Sequence, residues 1–261
     1  MTQHGLPILY TLFVWWFSTG VILYLDGLPR WTFKWTMLWS TVLLAIAFVG
    51  LVTSADDTRG TGAYIAFTCA VVIWGWKELA FLLGIITGPR RVPCPPGARG
   101  WRRAGHALMA ILYHEAALIV LGVAVVTLTW GKPNPVAACT FATLWVMRLS
   151  AKLNVFLGVR NLNEEFLPEH IRYLGSYFRT RPMNRLFPWS MLGSGALALA
   201  VWEHALADGT RAFGATAATF VAALITLAVL EHALMMLPLP SQRLWRWGLK
   251  SREIPTLRRP V

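Results

Sequence analysis

Long stretches almost free of charge alternate with short polar connections along the whole chain. Seven apolar runs stand out, at residues 6–25, 35–53, 62–88, 104–130, 136–159, 188–206 and 213–237. Each is close to the roughly 20 residues a helix needs to cross a bilayer. The first run has no Lys or Arg ahead of it, exceeds the length of a signal-peptide core and lacks a small-residue cleavage site, so it reads as a retained helix. The third is long enough to tilt. Gly131, Pro133 and Pro135 punctuate the turn into the fifth, Pro188 suits a first helical turn, and Pro238 and Pro240 end the seventh. The pattern predicts an all-α, polytopic integral membrane bundle of about seven transmembrane helices. Residues 1–249 form a single transmembrane domain with a loop at 160–187, and 250–261 form a basic tail. No internal repeat is visible.

Composition agrees. The chain is 56% hydrophobic and only 14% charged, against about 25% charged residues in soluble domains. A net charge of +12 would direct attention to nucleic acid in a soluble protein. Here the charges follow the loops instead, and the expected partner is the lipid bilayer, not nucleic acid. Arg30 and Lys34 lie in the first connection, Arg90, Arg91, Arg99, Arg102 and Arg103 in the third, Arg160, Arg172, Arg179, Arg181 and Arg185 in the fifth, and six more in the tail. The alternate connections hold only Arg59, Lys132 and Arg211. The positive-inside rule makes the basic side cytoplasmic, with the N-terminus periplasmic and the C-terminus cytoplasmic. Tryptophans such as Trp15, Trp31, Trp130 and Trp245 sit near helix ends, as an interfacial aromatic belt requires. Cys69, Cys94 and Cys139 are widely spaced and form neither a disulfide framework nor a zinc-type pair.

Two basic-side connections are longer. Residues 88–97, rich in Pro and Gly, predict an extended loop. In the other, Phe166, His170, Tyr173, Leu174 and Tyr177 recur at spacings of three and four, the pattern of a short amphipathic helix at headgroup level. Its apolar face should lie on the membrane or on neighbouring helices.

Ionisable residues inside the runs are the candidate chemistry, since such groups cost several kcal/mol and normally face the bundle interior. They are Lys77 and Glu78, His114 and Glu115, Arg148 and Lys152, and Glu231 and His232. Counted from the ends of the runs, most of these lie about ten residues, or about 15 Å, from the basic side. Three readings follow. The first is charge-neutralising pairs that fix helix register, for example Glu78 with Arg148 and Glu231 with Lys152. The second is a ligand site, with a histidine on the magnesium of a chlorin and Arg or Lys on its carboxyl groups. The third is a metal site drawn from Glu78, His114, Glu115, Glu231 and His232. A di-iron centre is the less favoured form, because no Glu-x-x-His is present at these depths. The adjacent pairs His114–Glu115 and Glu231–His232 diverge by about 100° around a helix. Glu165, in the loop, is a possible addition that could reach inward.

A series of short segments then carries a family resemblance. In order they are Trp15-Trp16-Phe17-Ser18-Thr19-Gly20, Trp74-Gly75-Trp76-Lys77-Glu78-Leu79-Ala80-Phe81 with Ile86-Thr87-Gly88-Pro89, Pro93-Cys94-Pro95, Tyr113-His114-Glu115, Arg148-Leu149-Ser150-Ala151-Lys152-Leu153-Asn154, Glu165-Phe166-Leu167-Pro168, Leu186-Phe187-Pro188, Leu230-Glu231-His232, Leu237-Pro238-Leu239-Pro240 and Leu244-Trp245-Arg246-Trp247. The chain resembles the PuhE family, also called photosynthetic complex assembly protein 2, of purple and related phototrophic bacteria. The likeness spans nearly the whole chain and stops before the tail from Lys250. It implies a membrane factor, in the inner or intracytoplasmic membrane, for assembly of the reaction centre and its light-harvesting ring or for control of bacteriochlorophyll supply. Photosynthetic subunits or pigment-synthesis proteins would be its partners, and bacteriochlorophyll or a precursor its possible ligand. The alternative is a membrane enzyme of tetrapyrrole metabolism built on an intramembrane His/Glu metal site.

Overall fold

The computed structural model describes residues 3–162, 164–207, 209, 211–237, 239 and 241–253; most of the basic tail lies outside them. Seven long helices dominate: α1 (Gly5–Asp26), α2 (Phe33–Ser54), α3 (Gly60–Leu82), α4 (Gly100–Thr129), α5 (Val136–Leu157), α6 (Phe187–Leu206) and α7 (Ala212–Leu234). A one-turn helix, α8 (Arg246–Leu249), follows. The described residues contain no β-strand beyond one isolated bridge between Val159 and Thr180. The protein is a multi-pass membrane helical bundle, in contact with the bilayer.

Six of the seven long helices are long and apolar enough to cross a membrane. The other, α6, is diluted by Ser190, Ser194, Gly193, Gly195 and the Glu203–His204 pair. Its 20 residues still span about 30 Å, and it packs along α7 as a hairpin. The ends of the hairpin settle its course. Arg252, beyond α7, donates to the Asp26 carboxylate at the end of α1 and to the carbonyl of Phe166, ahead of α6. The segments before α6 and after α7 therefore meet at one end of the bundle. At the opposite end His4 bonds the Thr219 hydroxyl at 2.8 Å.

Burial separates the helices by role. About half of the apolar window of α3 and α7 is buried, at 56% and 50%, against 17% for α1 and 11% for α2. The first two form the centre; α2 presents Trp39, Ile46 and Val49 outward. Away from the basic end the centre is aromatic: Phe67 of α3 stacks on Phe220 of α7 with centroids 4.5 Å apart, and Tyr10 and Tyr64 pack edge-on against Phe220. There Asn134 ties two connections together. Its amide nitrogen donates to the carbonyls of Ser54, Asp57 and Gly62, and its oxygen accepts from the Val136 amide.

Three segments outside the long helices cover the basic end. The first, residues 83–99, runs back along α4; residues 88–97 are extended as expected, whereas 83–87, expected to continue α3, lie outside the helix. The Thr87 carbonyl accepts from the His114 amide and the Arg90 amide donates to Met109. A Cβ on Gly88 would lie 2.2 Å from the Met109 oxygen, so the approach requires glycine. The second holds the expected amphipathic helix, but as a 3-10 run over Glu169–Tyr177. Its period of three residues puts Ile171, Leu174 and Tyr177 on one buried stripe against Ala110 and the end of α3. Phe166 packs on Trp245 and His170 on Phe33. The apolar face thus lies on neighbouring elements of the protein. The third segment, residues 241–253, lies against α1. Trp16 and Trp245 exchange indole-to-carbonyl bonds with the opposing backbone, at Leu244 and Trp16. Gly248 crosses Gly20 so closely that a Cβ on Gly248 would lie 2.4 Å from the Gly20 oxygen.

Candidate functional site

α1, α3, α5 and α7 surround a cavity of about 220 Å³. On α3 its lining begins at Phe67, above which sits the aromatic stack, and ends at Leu82; on α7 it runs from Leu224 to Glu231. Val14, Val71, Leu144 and Leu224 make much of the wall apolar. Toward the basic end Trp15, Glu78, Arg148 and Glu231 converge on it. The result is an amphipathic slot along the bundle axis, greasy at one end and charged at the other.

Glu78 organises the charged end. One of its carboxylate oxygens accepts from Lys77 Nζ at 2.8 Å and lies 3.5 Å from Arg148 Nε. Lys77 is fully buried, with Nζ 3.4 Å from the centroid of the Trp74 ring. Arg148 keeps about half of its side chain exposed. Glu231 accepts the Trp15 indole N–H at 2.6 Å from across the slot.

The remaining expected site residues are elsewhere. Glu115 on α4 pairs with Lys152 on α5 at 2.5 Å. His232 turns away from Glu231, as their 100° divergence requires. The Ala228 carbonyl can only accept, so His232 Nδ1–H donates to it at 2.8 Å, and Nε2 accepts from the Ser150 hydroxyl at 2.9 Å. His114 is buried against the Phe81 ring, centroids 4.4 Å apart, and among the described residues its Nδ1 has no hydrogen-bond partner. It does not line the cavity.

The direct contacts of the polar residues are thus separate: Glu78 with Lys77 and Arg148, Glu115 with Lys152, Glu231 with Trp15, and His232 with Ser150. The Glu78–Arg148 pair is present; the Glu231–Lys152 pair is not, because Lys152 faces α4 while Glu231 faces α1. Glu165 is exposed, and the contact it makes is through its backbone carbonyl, which accepts from Arg252. Among the described residues no three His, Cys, Asp or Glu side chains converge as a metal site. α3 ends at Leu82 instead of near Gly88, so Glu78 is about 6 Å from its helix end, while Arg148, which meets it, is about 13.5 Å from the end of α5 and Glu231 about 4.5 Å from the end of α7.

Several residues that matter here carry no sequence signal as site residues. Trp15 reads as one more interfacial tryptophan. Asp26 reads as the polar boundary of a run, yet it is 3% exposed and bonded to Arg252 at 2.8 Å. Asn184 ties α5 to α6: its amide nitrogen donates to the Asn154 and Gly158 carbonyls, and its oxygen accepts from the amides of Leu186 and Phe187. The one available cue was an Asn three residues ahead of a helix start, a capping pattern.

Comparison with known proteins follows the same span. A family described as a protein of unknown function, DUF3623, matches residues 1–256. The chain belongs to this family. A relative, described as an uncharacterized 30.4 kDa protein in the puhA 5′ region of Rhodobacter capsulatus, is 40% identical over 267 residues, covering 100% of this chain and 97% of its own. No solved structure matches. The family match takes in both the slot and the covering segments at the basic end.

Proposed function

We propose that this family member is a membrane factor serving the bacterial photosynthetic apparatus, acting in its assembly or in the supply of bacteriochlorophyll. The observation that carries the reading is the amphipathic slot. Its 220 Å³ falls below the roughly 300–1,000 Å³ of sites that enclose a drug-sized molecule. A narrow apolar chain, such as the tail of a pigment or pigment precursor, suits this volume better than a whole tetrapyrrole ring. Glu78, Arg148 and Glu231 stand where the polar end of such a molecule would emerge. The photosynthetic context comes from the resemblance to the PuhE family and from the relative's description by its place beside puhA. The photosynthetic or inner membrane is the corresponding location, with complex subunits or pigment-synthesis proteins as partners. The geometry favours this reading over the enzyme alternative. Each of Glu115, Glu231 and His232 is engaged by a Lys, Trp or Ser partner from another helix rather than turned toward a shared centre.

Filling the slot tests the proposal. Gly75 lines it, and a Cβ there meets only Ile22 Cδ1, at 3.8 Å. Gly75→Leu should leave a folded protein, strip tailed pigment or isoprenoid from the purified sample, and depress phototrophic growth in a host lacking its own copy. Normal growth and normal pigment with the slot filled would sink the reading. Near-stoichiometric iron or zinc in the wild-type protein would shift it to the enzyme.

A further inference from the structure

A second cavity, of about 270 Å³, lies at the basic end outside the slot. Arg30 enters it from the α1–α2 connection, Arg91 from the segment after α3, and His170 and Tyr173 from the 3-10 run. Thr87 and Gly84 complete the polar part of its lining. Among the described residues neither Arg30 nor Arg91 is in an ion pair, although other arginines, such as Arg59, Arg148 and Arg252, have carboxylate partners. Thr87 is only 1% exposed, and among the described residues its hydroxyl has no hydrogen-bond partner; the buried Tyr173 hydroxyl has none there either. A buried hydroxyl without a partner is costly and points to a group that is bound there. Two guanidiniums and two hydroxyl donors, with no Asp or Glu in the lining, call for an anion with several oxygens. The His170 ring is already fixed by its 2.7 Å bond to the Leu82 carbonyl and forms one wall.

We propose that this cavity is a binding site for a phosphate-type oxyanion, held by Arg30 and Arg91 with Thr87 and Tyr173 as hydrogen-bond donors. The exposed Trp31 and Trp35 follow Arg30 in sequence and put the site at headgroup level, where tryptophan prefers to lie. The oxyanion is therefore either the phosphate of a lipid headgroup or a soluble phosphate compound. The site is independent of the slot and of its proposed occupant.

The test uses the purified full chain in detergent micelles, with the thermal unfolding midpoint followed against added dioleoylphosphatidic acid or inorganic phosphate. Either ligand should raise the midpoint in a saturable manner. A rise with phosphatidic acid alone identifies a lipid headgroup; a rise with inorganic phosphate as well identifies a site open to soluble oxyanions. Arg30→Gln with Arg91→Gln should weaken the apparent affinity by roughly tenfold or more. Arg102→Gln, an exposed arginine outside the cavity, should not. Thr87→Val, which leaves every charge in place, should weaken it severalfold, and it serves if the double variant does not fold. No saturable rise with either ligand, or a rise of equal affinity in the arginine and Thr87 variants, overturns the site.

Discussion

Trp15 on α1 donates its indole N–H to Glu231 on α7 at 2.6 Å, so a carboxylate lining the slot is held by a neutral donor rather than by a cation. The bond closes the gap between a peripheral helix and a central one at the charged end. Trp15→Phe should therefore destabilise the protein by about 1 kcal/mol, the usual size for loss of a hydrogen bond to a partly exposed group. Glu231→Gln keeps an acceptor for the indole and should cost less. Combining the two changes should cost little more than Trp15→Phe alone. Thermal unfolding in detergent, with the two single variants and the double, gives the comparison.

Removing Glu78 and removing Arg148 should not be equivalent. Glu78→Gln strands the fully buried Lys77 ammonium, and breaking a buried pair from one side costs about 3 kcal/mol or more. Arg148→Gln leaves Glu78 its bond to Lys77 and removes a half-exposed partner, which is worth about 1 kcal/mol or less. Lys77→Met combined with Glu78→Gln should recover much of the loss from Glu78→Gln. Yields of folded protein and unfolding midpoints check the order. Equal losses for Glu78→Gln and Arg148→Gln would contradict it.

The loop seal at the basic end should weaken in acid. Burial pushes the His170 imidazole below its ordinary value of 6.5, the positive charges of Arg30 and Arg252 add to this, and the bond to the Leu82 carbonyl opposes it. The unfolded chain then binds a proton more readily than the folded one. Stability is fully present above pH 6.5 and declines as pH falls below it toward the lowered folded value. His170→Gln keeps a donor for Leu82 and cannot titrate, so it should flatten this part of the pH profile. Unfolding midpoints between pH 5 and 8 would reveal a difference, and identical profiles for the two proteins would rule it out.

The bundle should be oriented with its basic end in the cytoplasm. Arg252, Asp26 and the carbonyl of Phe166 meet at that end, while His4 and Thr219 meet at the other. A reporter after the C-terminus should read cytoplasmic and one before the N-terminus periplasmic. Two reporters on the same side would mean that one of the helices, α6 above all, does not cross.

Helix number was legible in the sequence because it rests on a one-dimensional quantity: a span needs an unbroken apolar length of a size fixed by the bilayer. The divergence of Glu231 from His232 was legible as well, since the turn per residue is a property of the helix itself. Helix ends were not: the apolar stretch of residues 83–88 continues the composition of α3, but its backbone leaves the helix to run along α4. The sequence offered Glu78 with Arg148, but it could not tell the other partners. Lys152 goes to Glu115 and Trp15 to Glu231 because of the rotation of α1, α4, α5 and α7 about their own axes, and that rotation is fixed by packing among apolar side chains that composition treats as interchangeable. The slot and the arginine cavity arise the same way. Each is assembled from three or more segments distant in the chain, so the tertiary structure alone decides that it exists.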